Sequence, residues 1–229
     1  MHNSAKKVGE LFLRNYINDR KGLTIVDIGS TDINGSLKNF IDNSNKYIGL
    51  DLEKNKNVDI ILDDPYSFPL DSNSIDVVLC SSVFEHSEFF WLVFLEVMRI
   101  LKPNGLFYLN APSHGEYHKF PNDSWRFYPD SGTSLKNWGI KNNYKCDLIE
   151  SFVLKNEYEG WNDFVAIFIK DKKYRNKYKF RTICLSIKNA VNCKVFDKNF
   201  KETMNWNSCL FQSLRVIYKK IINKKCKIF

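Results

Sequence analysis

Acidic side chains flank the first glycine-containing turn of the sequence. Asp27 precedes Gly29 and Asp32 follows it in the segment VDIGSTDINGSL, residues 26–37. Phosphate-binding turns place closely spaced glycines here, so that backbone N–H groups at a helix N-terminus reach a pyrophosphate. In a partly dry site, each carboxylate this close to a phosphate would cost about 1 kcal/mol or more. The turn therefore indicates a cationic or zwitterionic ligand without phosphates, and it argues against NAD and ATP.

A second set of reactive side chains lies in the segment PSHGEYHKFPNDSWRFYPDSG, residues 112–132, together with His86 upstream. Imidazole has an ordinary pKa of about 6.5, which suits a general base near neutral pH. We favour His118 as that base, with Asp123 orienting it or acting in its place. His86 and His114 are the other candidates.

Each of these residues also has a purely structural interpretation. His86 begins a predicted helix and could cap it, and His114 could be a solvated loop residue. Arg126 has a planar guanidinium that suits an anionic part of a bound molecule; alternatively it joins Asp123 or Asp130 in an ion pair that holds the loop. These histidines and acids show no HxxxH or HxH spacing, so the sequence predicts no metal site.

Strand and helix patterns alternate through about 110 residues, and two further strands follow. Strands are predicted at residues 23–29, 46–51, 58–62, 74–81, 106–112, 144–154 and 162–170, and helices at 5–17, 36–42, 86–102 and 131–140. This alternation predicts an α/β fold with a mostly parallel sheet and helices on both faces. Such a sheet binds its ligand beyond the carboxyl ends of its central strands. The acidic turn and the histidine-containing segment both follow predicted strands, so we expect them at that edge.

Four ordered blocks of the sequence resemble the type-11-like class I methyltransferases that depend on S-adenosylmethionine (SAM). They are VDIGS, YIGLD, LDDPYSFPLDSNSIDVVLCSSVFEH and LKPNGLFYLNAPS, and they lie within residues 20–170. The resemblance implies a Rossmann-like, seven-stranded sheet and SAM as cofactor. SAM carries a sulfonium and an ammonium, which agrees with an acidic turn.

The resemblance also assigns cofactor contacts. It implies that Asp27 and Gly29 lie beneath the methionine portion, although Asp27 could simply cap the turn. Asp51, with Leu52 beside it, would accept hydrogen bonds from the ribose hydroxyls, although its alternative is a solvated strand end. Asp64 matches the residue that accepts from the adenine amino group.

Further cofactor contacts follow from the same blocks. Ser81, after the fourth strand, would border the transferred methyl group. Ser30, Asp32 and Gly35 would complete the first turn. The sequence departs from the family at Thr31, where a second glycine is usual, and the turn to Gly35 is longer than the common one.

The histidine-containing segment resembles the HxxPxDxWRFYPD block of a bacterial methyltransferase subgroup associated with surface glycans. This resemblance implies O-methylation of a sugar, nucleotide-sugar or glycan-linked small acceptor in surface polysaccharide biosynthesis. It makes His114, Trp125, Arg126 and Tyr128 the expected acceptor contacts. Two alternatives remain: a nucleic-acid methyltransferase acting on RNA, and a SAM-binding module without catalysis. No NPPY or DPPY tetrapeptide follows the fourth strand, which makes nucleic acid the less favoured partner.

Charge divides the chain into two parts. Residues 171–229 contain 16 Lys+Arg against 3 Asp+Glu, whereas residues 1–170 contain 18 against 23. We therefore predict a methyltransferase domain at 1–170 and a basic, partly helical extension at 171–229. The segment LFQSLRVIYKKIINKK, residues 210–225, has an apolar and a lysine-rich face, so it would either lie on an anionic membrane or pack on the domain.

The remaining expectations concern location and assembly. Six cysteines without CxxC spacing, and an N-terminus without an apolar signal segment, predict a cytoplasmic protein that is peripheral to the membrane if the basic helix binds lipid. The segment FFWLVFLEVMRIL, residues 89–101, is apolar nearly all round. It predicts either a helix buried against the sheet or the interface of a homodimer.

Overall fold

The computed structural model describes residues 3–33, 35–119, 121–155 and 160–201. The amphipathic helix predicted at 210–225 lies outside these described residues. No helix in the described part of the chain combines the length and the apolar character needed to span a bilayer.

This part of the chain contains nine strands and three α-helices. The strands are β1 (Thr24–Ile28), β2 (Lys46–Asp51), β3 (Ile60–Ile61), β4 (Ile75–Ser81), β5 (Leu101–His114), β6 (Asp147–Leu154), β7 (Asn162–Ile169), β8 (Ala190–Val195) and β9 (Lys198–Phe200). The α-helices are α1 (Asn3–Phe12), α2 (Phe90–Ile100) and α3 (Ser131–Lys141). A π-helical turn at Leu13–Ile17 continues α1, and 3₁₀ helices occupy Leu37–Phe40 and Lys172–Tyr178.

The strands form one sheet in the order β3-β2-β1-β4-β5-β7-β6-β8-β9. Strands β1 to β5 pair in parallel. Strand β7 inserts antiparallel between β5 and β6. Because β1 and β4 are central neighbours, the segments that follow them meet at one edge of the sheet, as the sequence predicts.

Apolar side chains cover both faces of the sheet. On one face, α2 buries Val93, Phe94 and Val97, which recur at helical spacing, against the strands. On the other face, Phe12 of α1 stacks on Tyr108 of β5, with ring centroids 4.8 Å apart. The apolar helix predicted near residues 89–101 is thus a core helix, while the homodimer stays a prediction.

Several predicted elements need correction. The sheet has nine strands rather than seven, because β8 pairs with β6 and β9 pairs with β8. The helix predicted to begin at His86 begins at Phe90, because residues 83–87 form a tight turn in which His86 N–H donates to the Val83 carbonyl at 2.9 Å. The helix predicted at 36–42 is a single 3₁₀ turn.

The first part of the basic segment belongs to the same sheet. Residues 190–200 supply β8 and β9, so the sheet continues past residue 170, where the charge pattern predicts a boundary. The division into two domains at that residue stays a prediction.

Candidate active site at the carboxyl ends of the central strands

The turn after β1 is closed by a glycine that no other residue can replace without strain. Gly29 has a φ of +73°, and a Cβ there would lie 2.2 Å from Val83 Cγ2. The N–H groups of Gly29 and Ser30 both donate to the Leu50 carbonyl, at 2.9 and 3.1 Å. The chain therefore folds over β2 directly after β1, and it brings the turns after β1 and β4 into contact.

Asp27 is a buried carboxyl group beneath this turn. Its Oδ2 accepts a hydrogen bond of 2.9 Å from the Tyr47 hydroxyl. Burial raises the pKa of Asp27 to about 7, the Tyr47 bond opposes that rise, and the nearby charge of Asp51 adds to it. Ionisation of this buried carboxyl group is therefore unfavourable, and a bound cation nearby would make it more favourable.

Asp51 ends β2 and holds the neighbouring backbone in place. Its two carboxylate oxygens accept hydrogen bonds from Thr31 N–H at 3.0 Å and from Leu52 N–H at 2.7 Å. Each oxygen has two lone pairs, so each can accept a further hydrogen bond. A single carboxylate therefore fixes the turn and still offers acceptors to a ligand.

Two other predicted cofactor residues each close a turn of their own. Asp32 accepts from Gly35 N–H at 2.8 Å and lies 3.4 Å from Lys56, so it closes its own turn. Asp64 caps a separate turn by accepting from Tyr66 N–H at 2.8 Å.

Ser30 and Ser81 are both buried next to these turns. Ser30 packs against Gly49 of β2, because a Cβ added at Gly49 would lie 2.6 Å from Ser30 Oγ. Ser81 Oγ donates to Asn110 Oδ1 at 3.3 Å, since the two residues are register partners in β4 and β5. The next residue, Ser82, has a φ of +58°, a left-handed conformation that is uncommon for a serine.

The turn after β4 presents a buried glutamate and a histidine. Glu85 is 1% exposed, and burial raises its pKa to about 8. Its backbone carbonyl accepts from Ser124 N–H at 2.7 Å and from Trp125 N–H at 3.3 Å. These two bonds clamp the loop that follows β5 onto the turn that follows β4.

Within that loop, Asp123 is the central acceptor. Arg126 binds both of its oxygens, with Nη2 to Oδ2 at 2.7 Å, and His118 N–H donates to Oδ2 at 2.8 Å. The Arg126 guanidinium holds the pKa of Asp123 well below its usual range. Asp123 is therefore an ionised, orienting group, and the ion pair that we considered for Arg126 is formed with Asp123. Asp130 instead pairs with Lys194.

The loop also brings the two central histidines together. The rings of His86 and His118 lie 5.0 Å apart at 86°. His118 Nδ1 is 3.2 Å from Asp123 Oδ2. Partial burial lowers the pKa of His86. By contrast, His114 ends β5 as an exposed side chain outside this cluster.

Three of the predicted acceptor residues, Trp125, Arg126 and Tyr128, line a pocket of about 490 Å³. Its floor is aromatic, and it lies between the N-terminal end of α2 and α3. Trp125 is fixed there because its indole N–H donates to the Ser87 carbonyl at 3.0 Å. A pocket of this size and character suits a small organic molecule.

Sequence reasoning missed Tyr47, Glu85 and Asn110. Tyr47 and Asp51 share one face of β2 by the alternation of a strand, and that periodicity was a usable signal. Glu85 is the middle residue of the FEH triplet after β4, but no pattern in the neighbouring sequence indicates that it is buried. Asn110 carries a buried Nδ2 without a partner among the described residues, in register with Ser81.

These residues fit SAM as a ligand. A buried carboxyl group, an acid with spare acceptor capacity at the end of β2 and an amide donor without a partner among the described residues lie on the central strands. Asp27 and Asp51 would hold the cationic and ribose parts. Bound there, SAM supplies an electrophilic methyl group. The fold and the site thus define a Rossmann-like domain suited to a phosphate-free, positively charged cofactor.

Comparison with known proteins agrees with this class. Residues 30–109 match the family model Methyltransf_11, described as a methyltransferase domain. No curated protein matches the chain.

Solved structures of similar fold include three that cover about three quarters of the chain. A 1,6-didemethyltoxoflavin-N1-methyltransferase from Burkholderia thailandensis, with bound 1,6-didemethyltoxoflavin and S-adenosylhomocysteine, is 11% identical with a TM-score of 0.58, and the match covers 74% of this chain and 79% of that one. A SAM-dependent methyltransferase from Archaeoglobus fulgidus is 15% identical with a TM-score of 0.54, covering 72% and 94%. The [4+2]-cyclase SpnF is 13% identical with a TM-score of 0.56, covering 72% and 81%.

At these identities the structural likeness establishes the fold. The family match over residues 30–109 supports a methyltransferase domain that depends on SAM within this fold.

Proposed function

We propose that this protein transfers the methyl group of SAM to a hydroxyl of a sugar, nucleotide-sugar or glycan-linked small molecule in surface polysaccharide biosynthesis. The observation that carries the proposal is the cluster of His86, His118 and Asp123, clamped against the turn after β4. Methyl transfer joins an acceptor oxygen to the methyl carbon and leaves the sulfur as a thioether. A hydroxyl must also lose its proton, whereas a carboxylate or phosphate acceptor needs no base.

On the cofactor side, we propose that Asp27 and Gly29 bind the methionine portion and Asp51 the ribose. Leu52 and Asp64 would contact adenosine, and Ser81 would border the methyl group. Ser30, Asp32 and Gly35 would shape the first turn. This assignment is supported by the burial of Asp27 and by the acceptor capacity left on Asp51.

On the acceptor side, we propose that His118 takes part in removing the hydroxyl proton and that Asp123 orients it. Arg126 holds Asp123 in its ionised form, and this supports an orienting role for Asp123 over a role as base. Trp125, Arg126 and Tyr128 would contact the acceptor in the 490 Å³ pocket, and His114 stays a proposed acceptor contact. Positioning an oxygen in a dry pocket supplies much of the acceleration in such a transfer.

The proposed cofactor-binding residues are tested by isothermal titration calorimetry with SAM. Asp51→Ala should weaken binding by roughly 10- to 100-fold, since hydrogen bonds to a charged acceptor contribute about 1.5–3 kcal/mol. Asp71→Ala, which removes an exposed aspartate, is the matched control and should bind as the natural chain does. Equal affinity in all three proteins would refute the cofactor assignment.

The acceptor half is tested by mass spectrometry of surface glycans and nucleotide-sugar pools from cells with and without the gene. The expected result is one product class that carries an extra methyl group only when the gene is present. Label from methyl-tritiated SAM should enter that product, and His118→Ala should slow its incorporation. If nuclease treatment instead releases the label from the labelled product, the protein is a nucleic-acid methyltransferase.

A second candidate is a protein that binds SAM without transferring its methyl group. A [4+2]-cyclase has a similar fold, and this observation favours the second candidate because one fold can host several reactions. Tight SAM binding without any labelled product in a cell extract would support this candidate.

A further inference from the structure

Three side chains with metal-binding atoms converge where the turn after β4 meets the loop after β5. Glu85, His86 and His118 each offer one nitrogen or oxygen atom, and these atoms all lie within 4.8 Å of one another. His86 Nε2 lies 3.7 Å from Glu85 Oε1. Two imidazoles and one carboxylate at such separations can be bridged by a single cation.

Glu85 gives independent support for a ligand at this point. Its side chain is 2% exposed, and its Oε2 has no hydrogen-bond partner in the described part of the chain. The charge of Arg126 acts on Glu85, but the Arg126 guanidinium is already paired with Asp123. A buried carboxylate without a donor is unfavourable, so this geometry needs either a proton or a cation on Glu85.

A ring nitrogen of each histidine lies close to an oxygen atom outside the cluster. His86 Nδ1 contacts the backbone carbonyl of Asn122, which requires a proton on Nδ1 and leaves the lone pair on Nε2, the atom that faces Glu85. His118 Nδ1 lies 3.2 Å from Asp123 Oδ2, a contact whose angle falls short of a hydrogen bond. The hydrogen bond of His86 to the Asn122 carbonyl is the kind of outer contact that orients histidine ligands of metal sites.

We propose that Glu85, His86 and His118 bind one divalent first-row transition-metal cation, with Zn²⁺ the best match to two imidazoles and a carboxylate. Three protein ligands leave a coordination position open for water or for an acceptor hydroxyl. The sequence gives no sign of this site, because the ligands come from two segments and one of them is a glutamate.

This inference goes beyond the proposed methyl transfer and specifies how the histidine cluster would serve it. A hydroxyl bound to a divalent cation loses its proton to solvent at lower pH than a free hydroxyl does. His118 would then act as a ligand rather than as the direct proton acceptor. Metal binding can be measured without SAM and without an acceptor. The result of that test therefore does not depend on whether the proposed methyl transfer is correct.

The test begins with the full chain, stripped of metal with a chelator and titrated with Zn²⁺ by isothermal titration calorimetry. We expect one equivalent of Zn²⁺ to bind, and metal analysis after dialysis to find the same ratio. Co²⁺ in place of Zn²⁺ should give a visible d–d absorption band whose intensity reports low coordination number.

Single substitutions locate the site. Glu85→Gln and His118→Ala should each weaken Zn²⁺ affinity by more than about 100-fold, the upper range for losing even an outer partner. His118 is partly exposed, so its replacement keeps the test valid if Glu85→Gln does not fold. The matched controls are Glu88→Gln and His114→Ala, both exposed and outside the cluster, and these should keep the natural affinity and the Co²⁺ band.

Two outcomes would overturn the proposal. One is the absence of stoichiometric binding by the natural chain. The other is binding that Glu85→Gln, His118→Ala and the two controls all retain equally, since the metal would then lie elsewhere. In either case, SAM affinity of the same proteins still reports on the cofactor site.

Discussion

The carboxyl group of Asp27 lies under the turn that closes with Gly29, and its one described hydrogen-bond donor is the hydroxyl of Tyr47. Its pKa of about 7, raised mainly by burial, means that the charge on this residue changes within the physiological range. Both the stability of the protein and its affinity for a cation should therefore depend on pH through this one group.

We expect Asp27→Asn to remove one component of the pH dependence of stability. The folded-state pKa is raised, so the stability that this group contributes is full below about pH 4 and is lost as pH rises through 7. A rise from 3.8 to about 7 corresponds to at most about 4 kcal/mol. The variant should thus gain stability relative to the natural chain between pH 5 and pH 8, measured by urea unfolding. Asp71→Asn is the control, and a difference for Asp27→Asn that stays constant across this range would contradict the prediction.

The same residue should make SAM binding depend on pH. Only the ionised carboxylate attracts the cationic methionine portion, so the natural chain should bind SAM more tightly at pH 8 than at pH 6. Asp27→Asn should weaken binding by about tenfold at pH 8, the equivalent of one charged hydrogen bond. Calorimetry at both values checks this. Loss of the same size at pH 6 would show that the charge of Asp27 is not the cause.

Glu150 of β6 connects elements that are distant in the chain. Its carboxyl oxygens accept from the Tyr16 hydroxyl at 2.7 Å, from Ile183 N–H at 2.9 Å and from Cys184 N–H at 2.9 Å. The group is fully buried, and burial raises its pKa. It thereby joins the N-terminal helical segment, the sheet and the segment that leads into β8.

Replacement of Glu150 should loosen all three elements together. Glu150→Gln leaves buried N–H groups facing an amide N–H₂, so we expect a loss of about 1–3 kcal/mol in the free energy of unfolding. Tyr16→Phe removes one donor and should cost about 1 kcal/mol. Urea denaturation measures both, with Glu53→Gln, an exposed glutamate, as control. Unchanged stability for Glu150→Gln would mean that residues 183–184 do not depend on this contact.

Elements were predictable where one short segment carries the whole signal. Strands β1, β4 and β5 are buried on both faces and read as apolar runs, and Val93, Phe94 and Val97 mark α2 by their spacing. The start of α2 was misplaced because the turn at residues 83–87 is held by Val83 and by the distant loop at Ser124. Strand β8 was predictable as well, because Val191, Cys193 and Val195 alternate with Asn192 and Lys194, but this signal lies within a basic segment that reads as irregular.

The site was predictable only in part for the same reason. Asp27 and Asp51 end strands, so their place at one edge follows from topology alone. The approach of His118 to His86 depends on hydrogen bonds between Glu85 and the loop, and no local pattern encodes those. Similarly, the pairing of Arg126 with Asp123 was one of several alternatives until the loop conformation was known.

At the scale of the whole molecule, charge is distributed unevenly along the chain. Residues 171–229 carry 16 basic against 3 acidic side chains, and only part of this segment, through Lys201, is described. Within that part, Arg175 and Arg181 are paired with Asp147 and Asp19. The lysine-rich segment at 210–225 lies outside the described residues, and its role at a membrane stays a prediction.

That prediction is tested by sedimentation with lipid vesicles. The full chain should bind vesicles that contain phosphatidylserine more tightly than neutral ones, and added salt should weaken the binding. Changing Lys219, Lys220, Lys224 and Lys225 to glutamate should reduce affinity by at least about 100-fold, since each basic residue near such a surface contributes about 1 kcal/mol. Lys54→Glu with Lys141→Glu is the control. Equal binding to neutral vesicles would exclude this electrostatic role.

The two borders of the sheet, within the described residues, are its shortest strands. Strand β3 contains 2 residues and β9 contains 3, and β9 begins with a lysine. A long, uncovered border strand invites the backbone of another molecule to pair with it, and short, charged border strands prevent this. The two short border strands therefore give the backbone of a second molecule little to pair with, and such pairing is the contact from which fibres grow.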